Sequence, residues 1–220
     1  MKYVIHSVQS RKWYVDRYLI PSMIKQGIDK EDITIMNDDK GIGNLEACIR
    51  RFEVLPDNNE GTWHLQDDIV ICEDFKERSE EITAPIICGF SSVYDAEPFG
   101  LVTPDRMWYS FPCIYIPNKI AKEFVRWFRG YVAYSPKYST YVKHNKFDDF
   151  LFKEFLMEKH PDLTVKNKAP NLVNHIDFLL GGSICNRIRQ ESRVVSRYWQ
   201  NDRIITDVAE WIKENENARA

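Results

Sequence analysis

Apolar positions come in short bursts separated by polar turns, and the period of the bursts changes along the chain. Tyr3, Val4, Ile5 and Val8 predict a strand over Lys2 to Val8, with His6-Ser7 as its polar interruption. Val15, Leu19 and Met23 share a helical face, which predicts a helix from Lys12 to Gln26 stopped by Gly27. Pro21 lies inside it without a backbone donor, so a kink or two short helices are expected. Ile33 to Met36 reads as a second strand running into the polar turn Asn37-Asp38-Asp39. Leu45, Cys48, Ile49 and Phe52 recur at helical spacing, entered through Gly41-Ile42-Gly43 with Asn44 as N-cap. Thr62 to Gln66, Ile69 to Cys72 and Pro85 to Phe90 read as further strands. This alternation predicts an α/β fold with a central, mostly parallel sheet flanked by helices.

The second half is less regular. Ser91 to Pro104 has no period and reads as a long loop, Met107 to Ile116 as an aromatic-rich strand, and Tyr131 to His144 as a second loop. Ile120, Ala121, Phe124, Trp127 and Phe128 mark a helix ended by Gly130, and Phe147, Leu151 and Phe155 mark another. A short strand is predicted at Leu163 to Val165, and a last helix carries Ile205, Val208, Ala209 and Ile212.

Composition narrows the class. With 220 residues, 44% hydrophobic and 29% charged, the chain is ordinary globular material, which excludes a disordered or fibrous protein. A net charge of -3 argues against a nucleic-acid partner bound through general phosphate attraction. No apolar run reaches the roughly 18 to 20 residues that span a bilayer, so no transmembrane segment is expected. The apolar stretch at the start is too short for a signal peptide. Cys48, Cys72, Cys88, Cys113 and Cys185 are odd in number and widely spaced, without a CxxC pair. A reducing, cytoplasmic location with no disulfide framework and no zinc cluster is expected.

The strongest chemical signal is Trp63-His64-Leu65-Gln66-Asp67-Asp68-Ile69-Val70. Two adjacent carboxylates leave an apolar strand at its carboxyl end, where ligands bind in open α/β sheets. Carboxylates are the hard oxygen donors that Mg²⁺ and Mn²⁺ prefer. The plainer reading is a solvated turn or an acidic helix start. The second signal is His175, in Pro170-Asn-Leu-Val-Asn-His175-Ile176. Imidazole suits manganese as one donor among oxygens, although a lone His between apolar neighbours is more often a core residue.

Together, these two motifs resemble those of nucleotide-sugar glycosyltransferases of the GT-A fold. The resemblance covers about residues 1 to 185 and implies a single Rossmann-like domain. Residues 1–90 would form its nucleotide-binding half, 91–185 its acceptor-binding and metal-completing half, and 186–220 a helical tail. It implies that Asp68 and His175 hold Mn²⁺ or Mg²⁺ and that Asp67 reaches the ribose or sugar. Gln66 stands where the family more often has an acid, a neutral donor that lowers affinity for the ion. Ser7 and Arg11, past the first strand, match positions that hold the nucleotide, as do Asn37, Asp38 and Asp39 past the second. The plainer readings are Asx turn chemistry for Asn37-Asp38-Asp39 and a surface charge for Arg11. In inverting members an acid at a helix start takes the acceptor proton, which points to Asp148 or Asp149. The competing reading places Asp148 at the third helical position behind an Asn145 cap.

Two further features have bland explanations beside functional ones. Trp108, Tyr109, Tyr131, Tyr134, Tyr138 and Tyr141 offer stacking surfaces for an acceptor sugar, or simple packing. Arg187, Arg189, Arg193 and Arg197, after Gly181-Gly182-Ser183, offer charge for a diphosphate or a solvated face. The expected function is sugar transfer from a nucleotide diphosphate donor, a UDP-sugar by preference, to a hydroxyl acceptor. The rivals are a metal-dependent hydrolase of nucleotide sugars or phosphoesters, and a non-enzymatic binding or structural module.

Overall fold

The computed structural model describes residues 1–38, 41–91, 97–144, 148–181, 199 and 201–215. In chain order the first half contains β1 (Lys2–Val8), α1 (Lys12–Tyr14), α2 (Ile20–Lys25), β2 (Ile33–Asp38), α3 (Asn44–Glu53), β3 (Gly61–Gln66), β4 (Ile69–Ile71), α4 (Phe75–Glu80) and β5 (Ile86–Cys88). The second half contains β6 (Gly100–Val102), β7 (Cys113–Pro117), α5 (Asn118–Gly130), α6 (Ser139–His144), α7 (Asp148–Lys159), β8 (Val165–Asn167), β9 (Val173–His175) and α8 (Asp202–Glu214).

The main sheet has the order β2-β1-β3-β7-β5-β8-β6. Strands β1, β2, β3, β5 and β8 point one way, while β7 and β6 run against them. The mostly parallel sheet is therefore as the alternation predicts. Side-chain alternation divides the core. Tyr3, Ile5, Trp63, Leu65 and Tyr115 face one layer, built with α2, α4 and α8. Val4, Ile114 and Ile116 face the other, built with α3, α5 and α7. Trp63 is fully buried and satisfies its indole N–H on the Ser79 carbonyl at 2.9 Å. Burying one such side chain contributes about 1.5–3 kcal/mol.

Local chemistry explains where the elements differ from expectation. The first helical run holds a π-helical turn over Val15–Leu19, directly before Pro21. Widening the turn there accommodates the missing proline donor without ending the run. The cap of α3 is Gly43 rather than Asn44; its φ of 86° suits glycine, and Asn44 becomes the first helical residue. Met107 to Pro112 stays out of the ladder. Its Trp108 N–H donates to the Asn167 side chain at 3.1 Å, so only Cys113–Pro117 pairs as β7. Within the predicted loops, β6 forms at Gly100–Val102, and Tyr131 to His144 folds into two 3-10 turns and α6.

Strand β4 leaves the main sheet. It pairs antiparallel with β9, with Ile69 opposite His175 and Ile71 opposite Val173. The Ile176 N–H then donates to the Asp68 carbonyl at 2.7 Å. This small ladder brings the two sequence motifs together. The described cysteines Cys48, Cys72, Cys88 and Cys113 are buried and unbridged. No helix among the described residues is long and apolar enough to cross a membrane.

Candidate active site at the strand ends

Parallel register aligns the carboxyl ends of β1, β2 and β3: Ser7 lies opposite Asn37, and His6 opposite Gln66. A cavity of about 160 Å³ opens there. Its walls include His6 and Ser7 from β1, Asp38 from β2, and Asp67 and Asp68 after β3. Arg11, Asn44 and Ala47 of α3, Asp148 of α7 and His175 of β9 complete it. A larger groove of about 780 Å³ lies elsewhere, between α2, β4, α4 and Ile204 of α8. We place the candidate site in the smaller cavity, because the acids, the imidazole and the aligned strand ends converge there.

The acid pair is buried and organised. Asp67 accepts from the Val8 N–H at 2.7 Å and from the Arg11 guanidinium at 2.9 Å. Arg11 also pairs with Asp68 Oδ2, through the same Nη1. Asp68 Oδ1 faces His175 Nε2 at 3.1 Å. On the far side of the ring, His175 Nδ1 lies 3.4 Å from Asp177 Oδ1. Arg11 is thus not the solvated surface charge of the plainer reading; it is 5% exposed and locked between two carboxylates.

Burial alone raises a carboxyl pKa, but His175 and Arg11 outweigh it at Asp68 and hold that acid well below the usual range. Burial, with the adjacent Asp68 charge, pushes Asp67 up to about 6. Burial disfavours a charged His175, yet the Asp68 and Asp177 carboxylates prevail and push it up to about 10. The corner therefore interleaves three carboxyl groups, Asp67, Asp68 and Asp177, with two basic ones, Arg11 and His175.

The remaining candidates divide. Ser7 is buried on the cavity wall, its hydroxyl donating to the Val8 carbonyl at 3.3 Å. Asp38 lines the cavity but also accepts from the Ile42 N–H at 2.9 Å, the turn chemistry of its plainer reading. Asn37 lines a neighbouring cavity of about 220 Å³, which shares His6, Asp38 and Ala47 with the first. Asp148, buried at the start of the described α7, lines the site, whereas Asp149 is not among the lining residues and accepts from the Phe150 N–H at 2.7 Å. Burial raises the Asp148 pKa, against the pull of Arg51. Asp39, Asn145, Phe147, Cys185 and the run Arg187, Arg189, Arg193 and Arg197 lie outside the described residues.

Sequence reasoning missed His6, Asn44, Arg51 and Asp177. His6 was visible only as a break in a strand. Arg51 sits beside Phe52 on an amphipathic helix, where nothing in the periodicity marks a buried guanidinium. Asp177 stands two positions after His175, a spacing that is informative only once the chain is known to turn there.

No protein-family model and no curated protein sequence matches the chain. Solved structures do. S. aureus TarS 1–349 matches with a TM-score of 0.51 at 12% identity, over 82% of this chain and 62% of that one. The chain has a GT-A-like fold. It spans less than two thirds of the TarS structure's length, and at this identity the likeness extends to the fold alone. The galactosyltransferase LgtC, solved with donor and acceptor sugar analogs, matches at 0.47 and 10% identity, over 99% of this chain and 96% of that one. A putative glucose-1-phosphate thymidylyltransferase from Bacillus anthracis matches at 0.44 and 12%, over 87% and 96%.

Asp68 and His175 offer one oxygen and one nitrogen donor, of the kinds that divalent ions accept. Asp68 Oδ1 is buried without a well-directed hydrogen bond, although His175 Nε2 lies 3.1 Å away. Two neighbouring ligands on an octahedral ion with bonds of about 2.1 Å are about 3 Å apart. One carboxylate and one imidazole leave the other positions for phosphate oxygens and water, a common arrangement for magnesium-type ions. Among the described residues no group of three or more His, Cys, Asp or Glu side chains forms a self-sufficient cage.

Proposed function

We propose that this chain is a glycosyltransferase that moves a sugar from a nucleotide diphosphate donor, a UDP-sugar by preference, to a hydroxyl acceptor. The observation that carries the reading is the meeting of Asp68 Oδ1 and His175 Nε2, 3.1 Å apart, at the carboxyl ends of the parallel strands. The GT-A-like fold adds to it.

Each residue then has a task. Ser7, Asn37 and Asp38, at the ends of β1 and β2, hold the nucleoside by hydrogen bonds. Asp67, kept in place by the Val8 N–H and Arg11, reaches the ribose or sugar hydroxyls. Asp68 and His175 would hold Mn²⁺ or Mg²⁺, which as a Lewis acid stabilises charge on a leaving diphosphate. Arg11 supplies a second positive charge to the same corner. Asp148 removes the acceptor proton; burial raises its pKa, which makes the carboxylate a stronger base. Asp149, off the cavity wall, is the weaker candidate for that task.

A thermal-shift panel of nucleotide sugars, each with and without Mn²⁺, tests the proposal. A specific donor should raise the melting temperature, more so with the metal, because it binds only the folded state. No shift with any donor would favour a non-enzymatic module. Release of free sugar without an acceptor would favour the hydrolase.

A further inference from the structure

Asp177 has no part in the scheme above, yet it is 4% exposed and lies against the ring that the scheme uses. Its Oδ1 accepts the Phe178 N–H at 2.8 Å, which fixes the carboxylate at the head of the short turn Asp177–Leu179. The same oxygen lies 3.4 Å from His175 Nδ1. That nitrogen is buried and has no well-formed hydrogen bond. The opposite nitrogen, Nε2, faces Asp68 in the cavity wall. Ile69 pairs with His175 across the β4–β9 ladder, and the Ile176 N–H is tied to the Asp68 carbonyl at 2.7 Å, so the backbone on both sides of the ring is fixed.

An imidazole presents one lone pair only when its other nitrogen keeps the proton, and an acceptor on the far side decides which. We infer that Asp177 is a positioning residue: when a cation binds and the Nε2 proton leaves to solvent, Asp177, by accepting from His175 Nδ1, keeps the remaining proton there and leaves the Nε2 lone pair turned to the cavity, beside Asp68 Oδ1. The contact of 3.4 Å is long for a hydrogen bond, as contacts in a site often are before a ligand binds. The inference rests on the reading of Asp68 and His175 as a cation site. The alternative is that Asp177 serves the turn alone.

The experiment uses the full chain, Mn²⁺ and UDP, with bound manganese read from the loss of the free-ion paramagnetic resonance signal. Asp177→Ser keeps a short oxygen for the Phe178 N–H but cannot reach the ring. It should weaken Mn²⁺ binding by about 10- to 100-fold at little change in melting temperature. Asp177→Asn, which keeps an acceptor at the same reach, should stay within about threefold of wild type. Nitrogen-15 spectra of the His175 ring, taken with Zn²⁺ as a diamagnetic substitute, should show a protonated Nδ1 in wild type and Asp177→Asn, and a mixture of ring forms in Asp177→Ser. Manganese binding by Asp177→Ser within about twofold of wild type, with an unchanged ring spectrum, would overturn the inference. His175→Ala binding Mn²⁺ as tightly as wild type would overturn the underlying cation site instead, so the two failures are distinct.

Discussion

Buried charge occurs in two neighbouring regions of this molecule, and the two treat it in opposite ways. At the corner after β3, Arg11 meets Asp67 and Asp68, and His175 lies between Asp68 and Asp177. Beneath α3, Arg51 is 1% exposed; its guanidinium lies 3.5 Å from the Cys48 thiol and over the faces of Phe52 and Phe111, at 5.1 and 5.9 Å, and its Nε has no hydrogen-bond partner among the described residues. Among the described residues, neither ring nitrogen of the neighbouring His64 has a hydrogen-bond partner, and the ring meets Phe52 edge-on at 4.9 Å. The corner answers each charge with another. The region under α3 surrounds its charge with rings, which compensate a buried cation only partly. Matched charges that converge on a cavity are what a site for a charged ligand needs. Unmatched polar atoms packed among aromatics are a load on the fold.

The largest effect is expected at the corner itself. Asp68→Ala should lower turnover by about 10²- to 10³-fold, measured with whichever donor the thermal-shift panel identifies. Turnover near wild type, with metal dependence intact, would remove Asp68 from the site.

The two arginines give the sharpest contrast. Arg11→Met leaves two buried carboxylates side by side without their shared cation, and should cost about 3–5 kcal/mol in urea unfolding. Arg51→Met removes a buried guanidinium whose Nε has no hydrogen-bond partner among the described residues and replaces it with a flexible apolar chain. The lost cation–π contact and the lost pull on the buried Asp148 oppose the relieved desolvation, so stability should change by less than about 1 kcal/mol. Equal costs for the two variants would erase the distinction between the regions.

The same distinction decides what could be read in advance. Strand β3 and the acid pair were legible because Thr62, Trp63 and Leu65 stand in a short run that ends in charge. The helix at Leu45 to Phe52 was legible because its apolar positions recur at helical spacing. The β4–β9 pairing was not, since three-residue strands carry too little period to name a partner. The resemblance brought Asp68 and His175 together where periodicity could not. Arg51 stayed hidden because polar residues on an amphipathic helix are assigned to solvent, and only tertiary packing reverses that. Helix α6 was lost inside a tyrosine-rich segment whose short turns show no repeating face.

The smallest effect is a pH dependence that isolates the region under α3. Burial, then the Arg51 charge, pushes His6 down to about 3, and burial with Arg51 and His6 pushes His64 well below its ordinary value. The unfolded chain protonates both near pH 6.5, while the folded chain leaves them neutral. Stability from this source is complete above pH 6.5 and falls as the pH drops, by about 2 kcal/mol per histidine at pH 5. Two groups at the corner have the opposite sign. His175, raised to about 10, stabilises fully below pH 6.5 and fades as the pH climbs toward 10. Asp67, raised to about 6, favours the folded state as the pH falls from 6 toward 4. A single acid titration of wild type therefore mixes the regions, and a paired one separates them. His64→Leu should be as stable as wild type or more so at pH 7, because it removes two unsatisfied buried nitrogens. It should also lose about 2 kcal/mol less than wild type between pH 7 and pH 5, since Asp67 and His175 cancel in the difference. Parallel acid slopes for the two proteins would mean that His64 is protonated in the fold, and hence that the region under α3 answers its charge after all.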